Sequence, residues 1–216
     1  MKSFLLILLT TFLVSCSENQ TTPDIVEDST IPKVILALGD SLTAWYGLPA
    51  TDSYPAQLQA ELQVLGYSYE VRNAGISGDT TAWLLSRLDW TLEWDAPALV
   101  ILCIGANDAF QWKNTDDIEA NLRQIIEKIQ AKNIPIVLGG MKAPLNLGGE
   151  YGRKYEAIFP KLAKEYDLIY MDFFLDGVAL KANLNLDDRI HPNKLGYAIV
   201  VENLIEIIDD EELLKK

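Results

Sequence analysis

The feature that most limits what this chain can become is an alternation, from Pro32 onward, of short apolar runs with longer helix-patterned stretches. Lys33 to Leu38 (KVILAL) is nearly continuous in apolar and β-branched residues and empties at once into Gly39-Asp40-Ser41, as a strand buried on both faces does. Tyr54 to Leu65 reads as helix, Tyr67 to Arg72 as strand and Thr81 to Leu92 as helix. Ala98 to Ile104 (ALVILCI) is apolar throughout and belongs at the centre of a sheet, with Cys103 as a small buried hydrophobe. Between Asp116 and Lys132, the apolar residues Ile118, Leu122, Ile125, Ile126 and Ile129 share one helical face, and Asp116 and Asp117 favour its positive end. Ile134 to Leu138 is the next strand, Tyr151 to Tyr166 a helix, Leu168 to Met171 a short strand, and Pro192 to Ile208 a closing helix with Pro at its first position. Such an order implies a parallel sheet with helices on both faces and a site at the carboxyl ends of the strands.

Composition narrows what that site can bind. The 216 residues fill one sizeable domain. A formal net charge of −13 repels a phosphate backbone, and no basic stripe offsets it, so nucleic acid is set aside as a partner. Two cysteines, Cys16 and Cys103, exclude a disulfide scaffold and a multi-Cys zinc site. The single histidine, His191, excludes a His-rich metal centre, so neither metal nor cofactor is expected.

The N-terminus reads as an address. Lys2 precedes the largely apolar stretch Phe4 to Val14, which is too short for a permanent span of about 20 helical residues. The run Leu13-Val14-Ser15-Cys16 resembles the lipobox of bacterial lipoproteins, which implies a signal peptide over 1–15 and an acylated Cys16. Residues 17–31 are polar and acidic, so 16–31 forms the acylated Cys and a flexible tether to a domain spanning 32–216. The expected location is the cell envelope, membrane-anchored through Cys16; a cleaved signal with an incidental Cys, giving a soluble periplasmic or secreted protein, is the alternative.

Four polar clusters follow expected strands or precede the last helix: Gly39-Asp40-Ser41-Leu42, Gly75-Ile76-Ser77-Gly78-Asp79, Gly105-Ala106-Asn107-Asp108 and Asp188-Arg189-Ile190-His191. Acyl transfer by a hydroxyl needs a serine at a strand end, an imidazole to take its proton, a carboxylate to hold the imidazole, and donors for the oxyanion. Ser41 supplies the hydroxyl, in a Gly-containing turn whose following segment can start a helix. His191 is the only imidazole available, and Asp188, three residues upstream, can curl back to it, whereas Asp187 would point elsewhere. Asn107 offers a side-chain amide and Gly78 an unobstructed backbone N–H. Taken singly, each has a plainer reading as a cap, turn or surface residue; together and in this order they are a catalytic set.

With those blocks in view the chain resembles the SGNH, or GDSL-type, hydrolases: GDSL at 39–42, SGDT at 77–80, GAND at 105–108 and DRIH at 188–191. The stretch 151–168 further resembles the bacterial thioesterase, arylesterase and lysophospholipase subgroup. The resemblance implies a flavodoxin-like three-layer α/β/α sandwich around a mainly five-stranded parallel sheet. It also implies Ser41 as nucleophile, the Ser41 and Gly78 amides with Asn107 as oxyanion donors, and Asp188 with His191 as the base pair. Ala106 departs from the subgroup, which often has Gly there, and its methyl can tighten the loop carrying Asn107. Gly-x-Ser-x-Gly is absent, which argues against the α/β-hydrolase fold.

Candidate substrate-wall residues are Trp45, Tyr46, Trp83, Phe110, Trp112, Leu145 and Leu147, all from segments after strand ends. No Lys or Arg cluster stands beside Ser41; Arg153 and Lys154 are the nearest cations by segment. The expected activity is hydrolysis of small-molecule carboxylic esters, and of thioesters, through an acyl-enzyme. A carbohydrate acetylesterase and a non-catalytic lipid-anchored binding protein are the alternatives.

Overall fold

The computed structural model describes residues 32–144 and 149–215. The proposed signal, Cys16 and tether, and the wall residues Leu145 and Leu147, lie outside the described residues.

Five strands form one parallel sheet: β1 (Lys33–Gly39), β2 (Tyr69–Gly75), β3 (Leu99–Cys103), β4 (Ile136–Gly139) and β5 (Ile169–Met171), in the order β2-β1-β3-β4-β5. This is the flavodoxin-like order, whose reversal between β1 and β3 opens a crevice at their carboxyl ends. β1 beyond Lys33, and all of β3 and β4, are buried, the consequence of helices covering both faces; the edge strands β2 and β5 are only partly buried. Helices α1 (Tyr54–Val64) and α6 (Lys194–Asp210) pack together, and α2 (Thr81–Asp95), α4 (Thr115–Gln130) and α5 (Gly149–Glu165) form a second group. No described helix is long and apolar enough to cross a membrane.

Local chemistry explains the boundaries. In α4 the expected stripe Ile118, Leu122, Ile125, Ile126 and Ile129 is buried, each side chain contributing roughly 1.5–3 kcal/mol of burial. The Asn114 side chain caps the helix by accepting the Asp116 N–H at 2.9 Å. β2 continues three residues past the expected Arg72, because Asn73, Ala74 and Gly75 pair in register with Ala37, Leu38 and Gly39 of β1. Asn and Gly have weak strand preference, so the pairing, and not their own propensity, extends the strand. The closing helix starts at Lys194 with Asn193 as its cap, so the expectation of Pro192 at the first helical position is corrected. Asn193 Oδ1 accepts the Leu195 and Gly196 amides at 3.0 and 3.1 Å, while Pro192 sits in a bridge with Asn185. A short helix, α3 (Ala106–Phe110), follows β3 and was not expected, since five residues carry no helical period.

Candidate active site

β1 ends in a glycine because nothing larger fits: a Cβ on Gly39 would lie 2.2 Å from the Cys103 carbonyl oxygen. The chain then turns sharply, with the Thr43 and Ala44 amides donating to the Asp40 carbonyl at 3.1 and 2.8 Å. Successive turns, rather than the expected helix, occupy 41–47. Ser41 heads this turn, half-buried at the β1 end of the crevice.

His191 reaches Ser41 from the other side. The segment 184–193 doubles back on itself: Asn185 and Pro192 form an antiparallel bridge, and Leu186 N–H donates to the His191 carbonyl at 2.8 Å. Arg189 takes φ 62°, in the left-handed region, at the apex. That reversal folds Asp188 back onto its own loop. Its Oδ1 accepts the Ile190 and His191 amides at 2.9 and 3.0 Å, and its Oδ2 lies 2.7 Å from His191 Nδ1. His191 Nε2 lies 2.9 Å from Ser41 Oγ, which completes one chain of hydrogen bonds from carboxylate through imidazole to hydroxyl. The Tyr46 ring packs against the imidazole, with the ring centroids 4.4 Å apart. Burial alone would raise the Asp188 carboxyl, but the two amides and the imidazole outweigh it and hold it below the usual carboxylate range.

The crevice floor is polar. Gly105, at φ 116°, reverses the chain after β3 so that α3 begins there and presents Asn107. Asn107 Nδ2 donates to the Asp79 carbonyl at 2.9 Å and to Asp40 Oδ2 at 3.3 Å. α3 is pinned from below: Asp108 accepts the Thr81 amide at 2.8 Å and the Thr81 hydroxyl at 2.7 Å. The loop bearing Gly78 is held by Arg87, whose guanidinium pairs with Asp79 at 2.7 Å and donates to the Gly39 and Ala74 carbonyls. Gly78 is exposed, and nothing stands within 4 Å of where its Cβ would be. Neither the Ser41 nor the Gly78 amide donates to another described residue.

Beside Ser41 runs a cleft of about 720 Å³. Its apolar walls include Leu42, Phe110, Met141, Phe173, Leu175 and Leu180, and Ser41, Asn107 and His191 share its lining. Of the wall residues named from sequence, Phe110 lines this cleft. Trp45 and Tyr46 line a separate shallow groove with Gly75, Ile76 and Ser77. Trp83 lies by Asp108 and Gln111 in another hollow, and Trp112 packs on Tyr151, so neither borders the cleft. The cations at the cleft are Lys142 and Arg189; Arg153 is not among its lining, and Lys154 pairs with Glu150 at 3.0 Å. Lys142 and Phe173 follow the ends of β4 and β5, so the strand-end rule was their available signal.

A hydroxyl, an imidazole and a carboxylate in one hydrogen-bonded chain at the carboxyl ends of a parallel sheet define a serine hydrolase of SGNH architecture. Residues 37–199 match the GDSL-like Lipase/Acylhydrolase family, and the chain belongs to that family and is an ester-bond hydrolase. It is 39% identical over 160 residues to the thioesterase 1/protease 1/lysophospholipase L1 of Escherichia coli K12, covering 74% of this chain and 76% of that protein. An arylesterase of Vibrio mimicus is 37% identical over 158 residues, covering 73% and 79%. The crystal structure of TesA superposes with a TM-score of 0.79 at 32% identity, covering 84% of this chain and all of that one.

Proposed function

We propose that the chain hydrolyses carboxylic esters and thioesters of extended acyl groups through an acyl-enzyme on Ser41. The observation that carries this reading is the continuous path from Asp188 Oδ2 through His191 to Ser41 Oγ, at 2.7 and 2.9 Å. His191 takes the hydroxyl proton as Ser41 attacks the acyl carbon, and Asp188 holds the ring and stabilises the imidazolium that forms. The Ser41 and Gly78 amides with the Asn107 side chain receive the oxyanion. His191 then protonates the leaving alcohol or thiol, and a water activated by the same ring releases the acid. The apolar cleft beside Ser41 is sized for an acyl chain, which favours longer acyl groups over the acetyl of a carbohydrate acetylesterase. The shallow groove by Trp45 and Ile76 takes the leaving group.

The same reading includes a cleaved signal over 1–15 and an acylated Cys16, with 16–31 tethering the enzyme to a membrane of the cell envelope; the lipobox-like Leu13-Val14-Ser15-Cys16 supports it.

A fluorophosphonate probe tests the nucleophile: it should label the protein, and Ser41→Ala should abolish the label. Full labelling of Ser41→Ala assigns the nucleophile elsewhere. A p-nitrophenyl ester series from acetate to palmitate should show turnover that rises beyond acetate, while no turnover on any ester supports a binding protein instead.

A further inference from the structure

The carboxyl of Asp40 has no part in the chain of bonds that ends at Ser41, yet it is fully buried directly before it. Among the described residues no cation pairs with it; the nearby Arg87 guanidinium is engaged by Asp79 and two carbonyls. Asp40 Oδ1 accepts the Leu42 amide at 3.0 Å, and Oδ2 accepts Asn107 Nδ2 at 3.3 Å. A side-chain amide nitrogen carries two hydrogens. The other Asn107 hydrogen goes to the Asp79 carbonyl at 2.9 Å, so both are committed within the protein. A substrate oxyanion therefore gains a donor from Asn107 only by drawing one of them away. The longer bond, to Asp40, is the one to yield. How readily it yields depends on the acceptor, because a hydrogen bond to an ionised group is about twice as strong as one to a neutral group.

Resting on the reading of Asn107 as an oxyanion donor, we propose that Asp40 is a positioning residue that gates the oxyanion hole: protonated, it releases the Asn107 amide to the substrate, and ionised, it holds the amide back. An ionised Asp40 also sets a negative charge behind the developing oxyanion, which acts in the same direction.

The surroundings allow both states. The groups facing Asp40 are Asp79 from the β2–α2 loop, Asp108 from α3, Cys103 from β3, and the phenols Tyr54, Tyr155 and Tyr197 from α1, α5 and α6. Arg87 of α2 lies beyond Asp79, and His191 meets the same turn through Ser41. Burial raises the carboxyl most, the Leu42 amide lowers it, and Asp108 and Asp79 raise it again, leaving it pushed up to about 7. Neutral and ionised Asp40 thus exchange across neutral pH.

Ionisation of Asp40 then sets an alkaline limb in kcat/KM. The test is kcat/KM of the full chain on a short-chain ester from pH 5 to 9.5, for wild type and Asp40→Asn. Wild type should fall by about fivefold or more from pH 7 to 9, through kcat with KM little changed; Asp40→Asn should stay within about twofold over that range. A wild-type profile level to pH 9.5 overturns the gate. So does a folded Asp40→Asn with the same alkaline decline, or one inactive at every pH. If Asp40→Asn does not fold, ¹³C-carboxyl NMR of the wild-type protein decides: ionisation tracking the alkaline limb supports the gate, and a carboxylate ionised throughout from pH 5 overturns it. Normal turnover of Asn107→Ala would sink the oxyanion reading itself, whereas impaired Asn107→Ala with a level wild-type profile sinks the gate alone.

Discussion

Asn107 shows how much of the chemistry rests on single side chains. Its amide joins the Asp79 carbonyl to the Asp40 carboxyl across the crevice, so the same atom that would meet the oxyanion also ties two loops together. The two roles separate in an experiment. Asn107→Ala should lower kcat roughly 10²- to 10³-fold with KM little changed, because the lost donor matters mainly in the transition state. Its stability should fall by about 1–3 kcal/mol, because two hydrogen bonds are lost and the buried Asp40 carboxyl loses a donor, as thermal unfolding would measure. Asp188 differs in kind: its carboxyl is held below the usual carboxylate range, so any stability it contributes is present above that range and is lost only as pH falls below it. Its titration therefore leaves the neutral range untouched, unlike that of Asp40.

At the scale of an element, the 184–193 loop is what brings Asp188 and His191 to Ser41. It is anchored at both ends, by the Asn185–Pro192 bridge and by Asn185 Nδ2, which donates to the Val178 and Lys181 carbonyls at 2.9 and 2.8 Å. Between those anchors the reversal depends on Arg189 at φ 62°. A glycine adopts that conformation freely and a β-branched residue does not. Arg189→Gly should keep kcat within about twofold of wild type, while Arg189→Val should cost about 1–3 kcal/mol of stability and lower kcat by moving Asp188 away from the imidazole. Esterase kinetics and thermal unfolding of the pair check this; equal kinetics in both variants would show that the backbone conformation is not what holds Asp188.

For the whole molecule, the buried Asp40 makes stability depend on pH in a predictable direction. Its folded-state value, about 7, lies above the ordinary 3.8 of an unfolded Asp. A raised value means stability that is fully present below the unfolded value and is lost as pH rises toward the folded one. The melting temperature of Asp40→Asn relative to wild type should therefore climb between about pH 4 and 7 and then level off, as scanning calorimetry at several pH values would reveal. A difference that stays constant over that range would mean Asp40 is not perturbed in the folded state. The proposed anchor also belongs to this scale: Cys16→Ser should move the protein from the detergent phase to the aqueous phase of a Triton X-114 partition, and unchanged partition would remove Cys16 as the attachment point.

The chain's local patterns settled its architecture. Apolar period and turn residues act over a few neighbours, so the β-α alternation, the buried β1 and β3, the α4 stripe and the four polar blocks at strand ends could all be read in order along the sequence. Even the proximity of Asp188 to His191 is a local matter, a three-residue turn. Contacts across strands are not. The three pairings that lengthen β2, the burial of Asp40 under side chains from α1, α5 and α6, and its bond to Asn107, 67 residues away, exist only once the sheet has assembled. The cleft is the same: aromatic residues two positions apart in sequence diverge, so that Phe110 reaches it while Trp112 turns to Tyr151, and Lys142 and Phe173 arrive from beyond the ends of β4 and β5, which the motifs do not mark. A side chain's direction and the charge its surroundings permit depend on neighbours brought by packing, and that was for the tertiary structure to decide.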